Sequence, residues 1–394
     1  MKTTEWKDTE IGRIPKDWEV KPLGEVMSFK NGLNSDAQSY GDGYPLISVL
    51  DALSDNVITS KTIKSRVKTS VSEFNAFSVK RGDLIFVRSS ETLEDVGRSN
   101  VYLDDTPAVF GGFVIRGRLK ENIDPLYLRY LLSERGHRLR ICSFGAGAQH
   151  YNISQEGLEK VLLVVSINKT EQQRIAKALS DIDMLITSLD KAIEKKRLVK
   201  LGAMQQLLTG KKRLKGFTGE WEKGCFGDFF PVERGTILKS SDYRFGRIPV
   251  IAGGTTPAGF HDTANRTGYT ITISASGANA GYVSFHKEDI FASDCSTISA
   301  SPNYSIVFVY YLLCSMQNEI YRSQTGGAQP HIHPKDIAPL RFSIPMDIVE
   351  QQEIANVLSM IDGEISSLTH EREKYLRLKD GMMQELLTGK TRLI

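Results

Sequence analysis

The sequence predicts an α+β protein with two globular domains joined by two long antiparallel coiled-coil helices. Three observations support this prediction. One segment occurs twice at a constant offset, its apolar residues repeat with coiled-coil spacing, and the regions outside it contain short β-rich runs. Because the repeated segments alternate with globular parts, the chain is predicted to contain two copies of one plan.

The repeat covers 44 aligned positions without a gap. Residues 171–214 match residues 350–393 at an offset of 179, and 25 of the 44 positions are identical. Shorter matches precede the helices: Trp18, Glu19, Gly24 and Gly32 recur as Trp221, Glu222, Gly227 and Gly235 at an offset of 203, and Gly147–Gln149 recurs as Gly327–Gln329. The chain is therefore predicted to contain two copies of one plan, each with a variable globular part and a near-identical segment.

The repeated segment is predicted to form one long helix. Its apolar residues are spaced alternately by four and three positions, which places them on one stripe of a helix. The predicted helix-pair seam consists of Ile175, Leu179, Ile182, Ile186, Leu189 and Ile193 in the first copy and Ile354, Leu358, Ile361, Ile365 and Leu368 in the second.

Both copies also carry start and stop signals for a helix. An N-cap acceptor stands three positions before an acid at Asn168 and again at Asp347, and a glycine follows Leu-Leu-Thr at Gly210 and Gly389. A helix of about 38 residues is about 57 Å long at about 1.5 Å per residue. A single helix would leave its apolar stripe in water, so we expect the two copies to pack together as an antiparallel pair.

The rest of the chain contains short β-rich runs bounded by turn residues, with one apolar-rich helix in each part. The runs predicted as strands are Pro45–Val49, Asp83–Val87, Ala108–Ile115, Val161–Val165, Ile248–Ala252, Thr270–Ser274, Gly281–Phe285 and Leu340–Ile344. The predicted helices are Pro125–Arg140 and Ile306–Arg322. The predicted domains are a globular domain at 1–165, a helix segment at 166–214, a second globular domain at 215–345 and a second helix segment at 346–394.

The composition is that of an ordinary globular protein, since 40% of the 394 residues are hydrophobic and 25% are charged. This excludes a collagen-like, wholly disordered or disulfide-scaffold chain. The longest apolar run, Ile306–Leu313, is far shorter than the roughly 20 residues that cross a bilayer, and the first ten residues lack the apolar core of a secretory signal. Cys142, Cys225, Cys295 and Cys314 lie far apart and are expected to be free thiols, so we expect a cytoplasmic protein.

The net charge of +3 is small, but basic residues are concentrated in one region. Between Lys191 and Lys215 there are nine Lys or Arg residues and a single acid, Glu194. A solvated helix face explains such a run, and so does binding to a polyanion or to an acidic partner surface. The sequence leaves both interpretations open.

Catalytic and metal-binding patterns are not evident. Gly389-Lys390-Thr391 resembles the end of a phosphate-binding loop, but residue 384 is Gln where that loop needs Gly. His331 and His333 lack further ligands at metal-ligand spacing, and the glycine-rich run 276–281 does not open a helix. The G-x-S-x-G elbow and the H-E-x-x-H zinc motif are absent from the sequence. We therefore expect no catalytic residue and no metal.

The repeated segment resembles the specificity (S) subunits of type I restriction–modification systems. The opening Glu-Gln-Gln-x-Ile-Ala-x-x-Leu-Ser-x-Ile-Asp occurs at 171–183 and at 350–362. The ending Leu-Leu-Thr-Gly-Lys-x-Arg-Leu occurs at 207–214 and at 386–393. Two full copies of these motifs make the resemblance specific, and it extends over nearly the whole chain.

The first globular domain is also similar to that family. The similar motifs are Gly-Asp-Leu-Ile-Phe-Val-Arg at 82–88 and Val-Gly-Arg-Ser at 96–99. The second domain departs from them, with Gly-Tyr-Thr-Ile at 268–271 and Ala-Gly-Tyr at 280–282. Base-reading positions of the second domain therefore cannot be taken from the first.

The resemblance implies a non-catalytic DNA-recognition subunit with a pseudo-twofold architecture, in which the internal repeat is arranged circularly. Each globular domain would be a target recognition domain for one half of a bipartite, asymmetric site. The helix pair would set the gap between the halves and dock two methyltransferase (M) subunits, which bind S-adenosylmethionine and methylate adenine. Motor-nuclease (R) subunits, which use ATP and Mg²⁺, would join for cleavage. The implied partners are double-stranded DNA, M subunits and R subunits, with no membrane and no cofactor on this chain itself.

Base readout requires Arg, Lys, Asn, Gln, Ser or Thr side chains in a groove of the DNA. In the first domain the predicted base-reading residues are Arg88, Ser89, Ser90, Arg98 and Asn100, and the predicted phosphate contacts are Lys61, Lys64, Arg66 and Lys68. In the second domain the predicted DNA-contacting residues are Arg234, Lys239, Thr255, Thr256, His261, Ser276 and Asn279. For each of them a solvated surface position or a turn cap is the alternative.

Two other functions stay open at the level of sequence. The chain could be a coiled-coil scaffold that joins proteins without reading DNA. It could also be the specificity part of a fused modification enzyme, or carry an unrecognised nuclease site.

Overall fold

The computed structural model describes residues 5–326 and 329–394. Gly327 and Ala328, which belong to the second Gly-Ala-Gln match, lie outside the described residues. The chain divides into two compact units. Unit 1 contains the described residues up to Ser188 together with Arg372–Ile394, and unit 2 contains Leu189–Glu371. Each unit therefore includes one globular part and a portion of both long helices.

The globular part of unit 1 is a mixture of short strands and short helices. Its strands are β1 (Trp6–Thr9), β2 (Gly12–Pro15), β3 (Trp18–Pro22), β4 (Met27–Asn31), β5 (Tyr40–Ile47), β6 (Arg66–Val67), β7 (Ser78–Val79), β8 (Leu84–Val87), β9 (Ser89–Ser90), β10 (Ser99–Val101), β11 (Ala108–Phe110), β12 (Val114–Leu119), β13 (Tyr151–Asn152) and β14 (Leu162–Ser166). Its helices are α1 (Leu23–Val26), α2 (Val49–Ala52), α3 (Val71–Phe77), α4 (Pro125–Ser133), α5 (Arg135–Cys142) and α6 (Gln155–Glu159), and Ala37–Ser39 is a 3₁₀ turn.

Two four-stranded sheets form the framework of unit 1. The first has the strand order β10-β8-β12-β4 and is antiparallel throughout, and the second has the order β6-β5-β11-β7 with a parallel β5–β11 pair. A separate antiparallel pair, β3–β14, joins the start of the globular part to its end. The core includes Phe86 on β8 and Leu128 on α4, and it continues onto the long helices through Leu179 and Leu387.

The long helices are α7 (Lys169–Leu207) and α12 (Ile348–Leu386), each of 39 residues. Asn168 caps α7 by accepting hydrogen bonds from the backbone N–H groups of Thr170 (3.0 Å) and Glu171 (3.3 Å), so the predicted start of the helix is confirmed. Gly210 and Gly389 follow the helices with φ of +68° and +71°, the left-handed conformation that the predicted stop signal requires.

Unit 2 repeats the framework of unit 1. Its strands are β15 (Trp221–Cys225), β16 (Glu233–Arg234), β17 (Ile248–Ile251), β18 (Gly259–His261), β19 (Thr270–Ser274), β20 (Val283–His286), β21 (Phe291–Ala292), β22 (Cys295–Ile298) and β23 (Arg341–Pro345). Its shorter helices are α8 (Phe226–Phe229), α9 (Ile306–Ser315), α10 (Gln317–Arg322) and α11 (Pro334–Ile337), with a 3₁₀ turn at Ser240–Asp242. The sheets have the orders β16-β22-β19-β20 and β18-β17-β21, and β15 pairs with β23 as β3 pairs with β14.

The α+β class and the duplicated plan are confirmed, but three predicted elements are divided. The predicted strand Ala108–Ile115 is split into β11 and β12, which belong to different sheets, because the chain turns at Gly112 and Phe113. The predicted helix Pro125–Arg140 is interrupted at Glu134, whose extended backbone (ψ 143°) and carboxylate cap the next helix. The predicted helix Ile306–Arg322 is likewise divided at Met316.

The seam residues of the first copy are all buried. In the second copy Ile354 and Leu358 are buried, whereas Ile361, Ile365 and Leu368 are half-buried. The buried ends of the seam pack into the globular cores: Leu179 belongs to the core of unit 1, and Leu358 to the core of unit 2. The ends of the apolar stripe thus pack against the globular parts.

Candidate nucleic-acid interface

Glu171 and Arg392 form a buried ion pair that ties the C-terminal segment of the chain into unit 1. Arg392 Nε donates to Glu171 Oε1 at 2.6 Å and Arg392 Nη2 to Oε2 at 3.0 Å. The same carboxylate accepts hydrogen bonds from the Ser166 hydroxyl (2.6 Å) and from Trp18 Nε1 (3.1 Å). The spacing of Glu171 from Asn168 suggested a helix-capping role, but its carboxylate is instead fully occupied by these partners.

The electrostatics of this pair favour the ionised forms. Burial alone would raise the pKa of Glu171, but the hydrogen bonds from Arg392, Ser166 and Trp18 outweigh it and the pKa lies below its ordinary value. Arg392 also donates to both oxygens of Asp17, at 2.8 and 2.6 Å, and this hydrogen bonding lowers the pKa of Asp17. The C-terminal arginine is therefore held by two carboxylates in unit 1.

Unit 2 contains the equivalent ion pair. Arg213 Nε donates to Glu350 Oε1 at 2.6 Å, and Arg213 Nη2 donates to Oε2 at 2.7 Å. The guanidinium of Arg213 lies over the ring of Trp221 at 5.6 Å, and that of Arg392 lies over Trp18 at the same distance. We call these two arrangements the clamps of unit 1 and unit 2.

The two clamps differ in their supporting hydrogen bonds. Position 345 is Pro where unit 1 has Ser166, so Glu350 receives no hydroxyl contact from it. Trp221 Nε1 is buried with no hydrogen-bond partner among the described residues, whereas Trp18 Nε1 donates to Glu171. The clamp of unit 1 is thus the more fully hydrogen-bonded of the two.

A second polar contact accompanies each clamp. In unit 1, Asp183 on α7 pairs with Lys379 on α12 at 2.6 Å and accepts a hydrogen bond from the hydroxyl of Tyr130 at 2.7 Å. The equivalent residues of unit 2 are Asp362, Lys200 and Tyr311, at 2.7 Å for both contacts. In both units the residue number rises along one copy of the repeated segment as the number of its partner falls along the other copy. In unit 1, residue 171 pairs with 392 and 183 with 379. In unit 2, residue 200 pairs with 362 and 213 with 350. The antiparallel pairing of the helices is therefore seen within each unit.

Three predicted base-reading residues of unit 1 lie together beside β9. Arg88 precedes the strand and donates to the carbonyl of Gly112 at 3.3 Å, and the Ser89 hydroxyl donates to Asn152 Oδ1 at 2.5 Å. Ser90 is half-buried and accepts a hydrogen bond from a backbone N–H of the following loop. These side chains stay predictions as base contacts, now placed where β9 pairs with β13.

The four predicted phosphate contacts are exposed on the segment around β6. Arg66 donates to the carbonyl of Gly43 at 2.7 Å, and Lys68 lies 3.6 Å from the carboxylate of Asp42. Lys61 and Lys64 have no described side-chain partner. The segment therefore presents a row of cations to solvent, as a phosphate-binding surface requires.

Arg98 and Asn100 have different environments. Arg98 is partly exposed and pairs with Asp95 at 3.0 Å. Asn100 is fully buried, and its amide donates to the carbonyls of Asp51, Ser54 and Asn56 at 2.7–3.1 Å. The prediction that Asn100 reads a base is therefore wrong for this conformation, because its amide is neither accessible nor free to bond. It ties β10 to the segment after α2.

Most of the predicted residues of unit 2 lie at its surface. Those that are exposed are Arg234, Lys239, Thr255 and Thr256. Asn279 is half-buried in the turn between β19 and β20, and the hydroxyl of Ser276 donates to Asp294.

The prediction that His261 contacts DNA is corrected by its burial. His261 is only 5% exposed. Its ring packs near Phe291, and its Nδ1 lies 3.1 Å from the hydroxyl of Thr263. A side chain enclosed in this way stabilises the end of β18 and is not presented to a DNA groove.

A comparison with known protein families decides what kind of protein this is. The family described as the type I restriction modification DNA specificity domain matches residues 15–197 and again residues 218–377. The two matches together cover most of the chain. The chain belongs to this family.

Relatives of this specificity-domain protein match it over its whole length. The type I restriction enzyme MjaVIII specificity subunit of Methanocaldococcus jannaschii is 23% identical over 438 aligned positions, covering 100% of this chain and 97% of the relative. The type I restriction–modification S subunit of M. genitalium has a TM-score of 0.67 at 17% identity, covering 94% of this chain and 96% of that one. A chain from a structural study of assembly and conformational transition in the type I R-M system has a TM-score of 0.58 at 14% identity, covering 96% and 99%. The fold is thus shared with both solved structures over nearly the whole chain.

One exposed loop of this specificity-domain protein was missed by the sequence analysis. Residues Tyr243–Arg247 follow the 3₁₀ turn of unit 2, and Phe245 at their centre is fully exposed. The offset of 203 aligns them with 40–44 of unit 1, which lie in β5, so the repeat by itself did not indicate an exposed loop here. Among the described residues, no cluster of potential metal ligands occurs and no helix has the length and apolarity needed to span a membrane.

Proposed function

We propose that this protein is the sequence-specificity subunit of a type I restriction–modification complex. Unit 1 and unit 2 each read one half of a bipartite, asymmetric DNA site. The observation that carries this proposal is the duplicated specificity domain, closed in both units by the same Glu–Arg clamp. A protein that reads two half-sites needs two recognition domains, and here the two domains are held by the same kind of clamp.

The exposed loops support an asymmetric site. After β8, unit 1 has a polar loop that contains Arg88 and Arg98 together with three acids, whereas the corresponding loop after β19 of unit 2 is the uncharged, glycine-rich 276–281 run. Side-chain donors and acceptors in a groove distinguish one base pair from another. Two units with different loop chemistry on one framework are therefore expected to recognise different sequences.

The long helices have a structural part in this function. In our proposal their length sets the gap between the half-sites, since 39 residues at about 1.5 Å each give about 58 Å. Two half-sites on one face of B-DNA need about one helical turn, ~34–36 Å, between their centres. The basic run between Lys191 and Lys215 and the exposed faces of both helices dock the methyltransferase subunits.

The chemistry belongs to the partners in this proposal. Two methyltransferase subunits bind S-adenosylmethionine, and restriction subunits supply ATP- and Mg²⁺-dependent cleavage. The present chain contributes sequence readout in the cytoplasm, where these partners meet DNA, and it binds no cofactor. The support is that the sequence lacks the catalytic motifs named above.

Methylation mapping tests the proposal directly. The chain is expressed in a methylation-free host together with its partner methyltransferase, and modified adenines are located by long-read sequencing. We expect one bipartite motif with two unlike half-sequences and a fixed gap. A host without the chain serves as the control. A protein scaffold would leave the methylation pattern independent of this chain, and cleavage of DNA by the purified chain with Mg²⁺ would favour a nuclease.

A further inference from the structure

Phe245 is the most exposed large apolar side chain among the described residues. Its relative exposure is 105%, so no neighbouring atom covers the ring. Arg244 and Arg247 flank it and are exposed as well. An uncovered aromatic ring between two cations offers an apolar face together with positive charge, a combination that fits a partner with flat apolar rings and negative charge.

The loop that carries Phe245 is anchored on both sides of its tip. The ring of Tyr243 occupies the space where a Cβ of Gly259 would stand, so the first side packs on β18. Gly246 lies against the carbonyl of His261 with no room for a Cβ, so the second side is held too. Arg244 also pairs with Asp262 at 3.7 Å. The tip is therefore presented outward by packing of its neighbours.

The equivalent segment of unit 1 shows that the framework does not require this aromatic ring. The offset of 203 places Asp42 at the position of Phe245 and Gly43 at that of Gly246, within the part of β5 where the register shifts between Tyr40 and Tyr44. Strands β5 and β17 each pair with one antiparallel and one parallel neighbour. Asp42 accepts a hydrogen bond from its neighbour's N–H at 2.8 Å and lies 3.6 Å from Lys68. The tip of unit 1 is thus acidic and paired, whereas that of unit 2 is aromatic and uncovered.

The charges around Phe245 match a nucleic-acid backbone. Residues 239–247 contain three cations, Lys239, Arg244 and Arg247, against the single acid Asp242. The described contacts include no ion pair for Lys239 or Arg247. Cations of this kind bind phosphates, and apolar side chains at such positions enter a base step or stack on a base.

We propose that Phe245 is a wedge that inserts at a base step of the half-site read by unit 2, with Arg244 and Arg247 on the flanking phosphates. This inference rests on the proposed DNA-reading function. Insertion unstacks the bases at one step, so sequences with an easily unstacked step are favoured there. The wedge thus adds shape readout to the half-site of unit 2, and unit 1, with Asp42 at this position, lacks it.

The test uses the full chain in complex with its methyltransferase and duplexes that carry the mapped site. 2-Aminopurine replaces one base at a time in the second half-site, away from the methylated adenine. With the wild-type complex we expect fluorescence to rise at one step. Phe245→Ala should abolish that rise and weaken binding about 5- to 150-fold, while Phe245→Trp should retain both. The matched variant of the unit 1 tip, Asp42→Ala, should retain both as well.

Several results would overturn the wedge. The Phe245→Ala variant removes the proposed wedge and leaves the other DNA-contacting residues in place. If this variant binds with wild-type affinity and gives the wild-type rise in fluorescence, the wedge is refuted. Another such result is a variant that binds DNA normally but loses the methyltransferase on size-exclusion chromatography, which would make the ring a protein contact. Absence of sequence-dependent binding by the wild-type complex would instead overturn the proposed function itself.

Discussion

Arg392 Nε lies 2.6 Å from Glu171 Oε1, although 221 residues separate the two in the sequence. The equivalent pair, Arg213 and Glu350, has the same distance. In each pair the glutamate starts one copy of the repeated segment and the arginine ends the other copy. Each unit is therefore closed by both copies, and the last residues of the chain complete the unit with which the chain begins.

Loss of the carboxylate at position 171 should destabilise the protein. In Glu171→Gln the nearly buried guanidinium of Arg392 keeps only the negative charge of Asp17 beside it. We therefore expect the free energy of unfolding at pH 7 to fall by about 3 kcal/mol. Urea denaturation measures this. The matched control is Glu364→Gln, which breaks the exposed pair with Lys196 and should lose less than about 1 kcal/mol. Equal losses for the two variants would show that the clamp is not a major stabilising contact.

The stabilisation by this clamp should depend on pH in one direction. The pKa values of Glu171 and Asp17 are lowered in the folded protein, so folding favours their ionised forms. The stabilisation is complete above their ordinary values of about 4 and is lost as the pH falls through the lowered values. Urea denaturation between pH 7 and pH 3 should therefore show the wild type losing its advantage over Glu171→Gln. An advantage that grew towards pH 3 would contradict this assignment.

Replacement of Asn100 should affect stability and leave specificity unchanged. Asn100→Ala removes a buried amide that donates to three backbone carbonyls, so we expect a loss of about 3 kcal/mol in the free energy of unfolding. Methylation mapping at a temperature where the variant is folded should give the wild-type motif. A changed half-sequence with unchanged stability would restore the base-reading role that burial argues against.

Arg98 and Lys64 should give different signatures in DNA binding. If Arg98 contacts a base edge, Arg98→Ala weakens the preferred sequence by about 1–3 kcal/mol and relaxes one position of the motif. Lys64→Ala, in the exposed row around β6, should weaken all sequences alike and lower the salt slope by about one. Competition binding across a set of single-base variants, at several salt concentrations, separates the two. A uniform loss for Arg98→Ala would reassign it to a phosphate.

Lengthening both long helices should change only the gap of the recognised site. A seven-residue insertion within 175–200 of α7, with a matching insertion in α12, keeps the clamps and the seam in register. At about 1.5 Å per residue it adds about 10 Å, which corresponds to about three base pairs of B-DNA. Methylation mapping should show the same half-sequences with a longer gap. Altered half-sequences at an unchanged gap would refute the spacer role of the helices.

Local patterns predicted the helical part of the molecule well. The start at Asn168, the stops at Gly210 and Gly389 and the four-three spacing all depend on residues within one or two turns of each other, which a sequence displays directly. The division of the predicted helix at Glu134 was not predicted, because it depends on a side chain that caps the next helix. The burial of Asn100 was missed for a related reason, since its carbonyl partners are 44 to 49 residues away.

By itself, the sequence determined that the chain is a duplication, that its repeated part is helical, and which family it resembles. Only the tertiary structure decided that each copy of the repeat closes the unit of the other, which predicted side chains are buried, and that the ring of Phe245 is uncovered. Periodicity is a property of neighbouring residues, so a sequence displays it. Burial and ion pairing depend on which distant segments meet in the folded chain. Both copies of the repeat contain the same Glu and Arg, so the sequence does not reveal whether each Glu pairs with the Arg of its own copy or with that of the other copy.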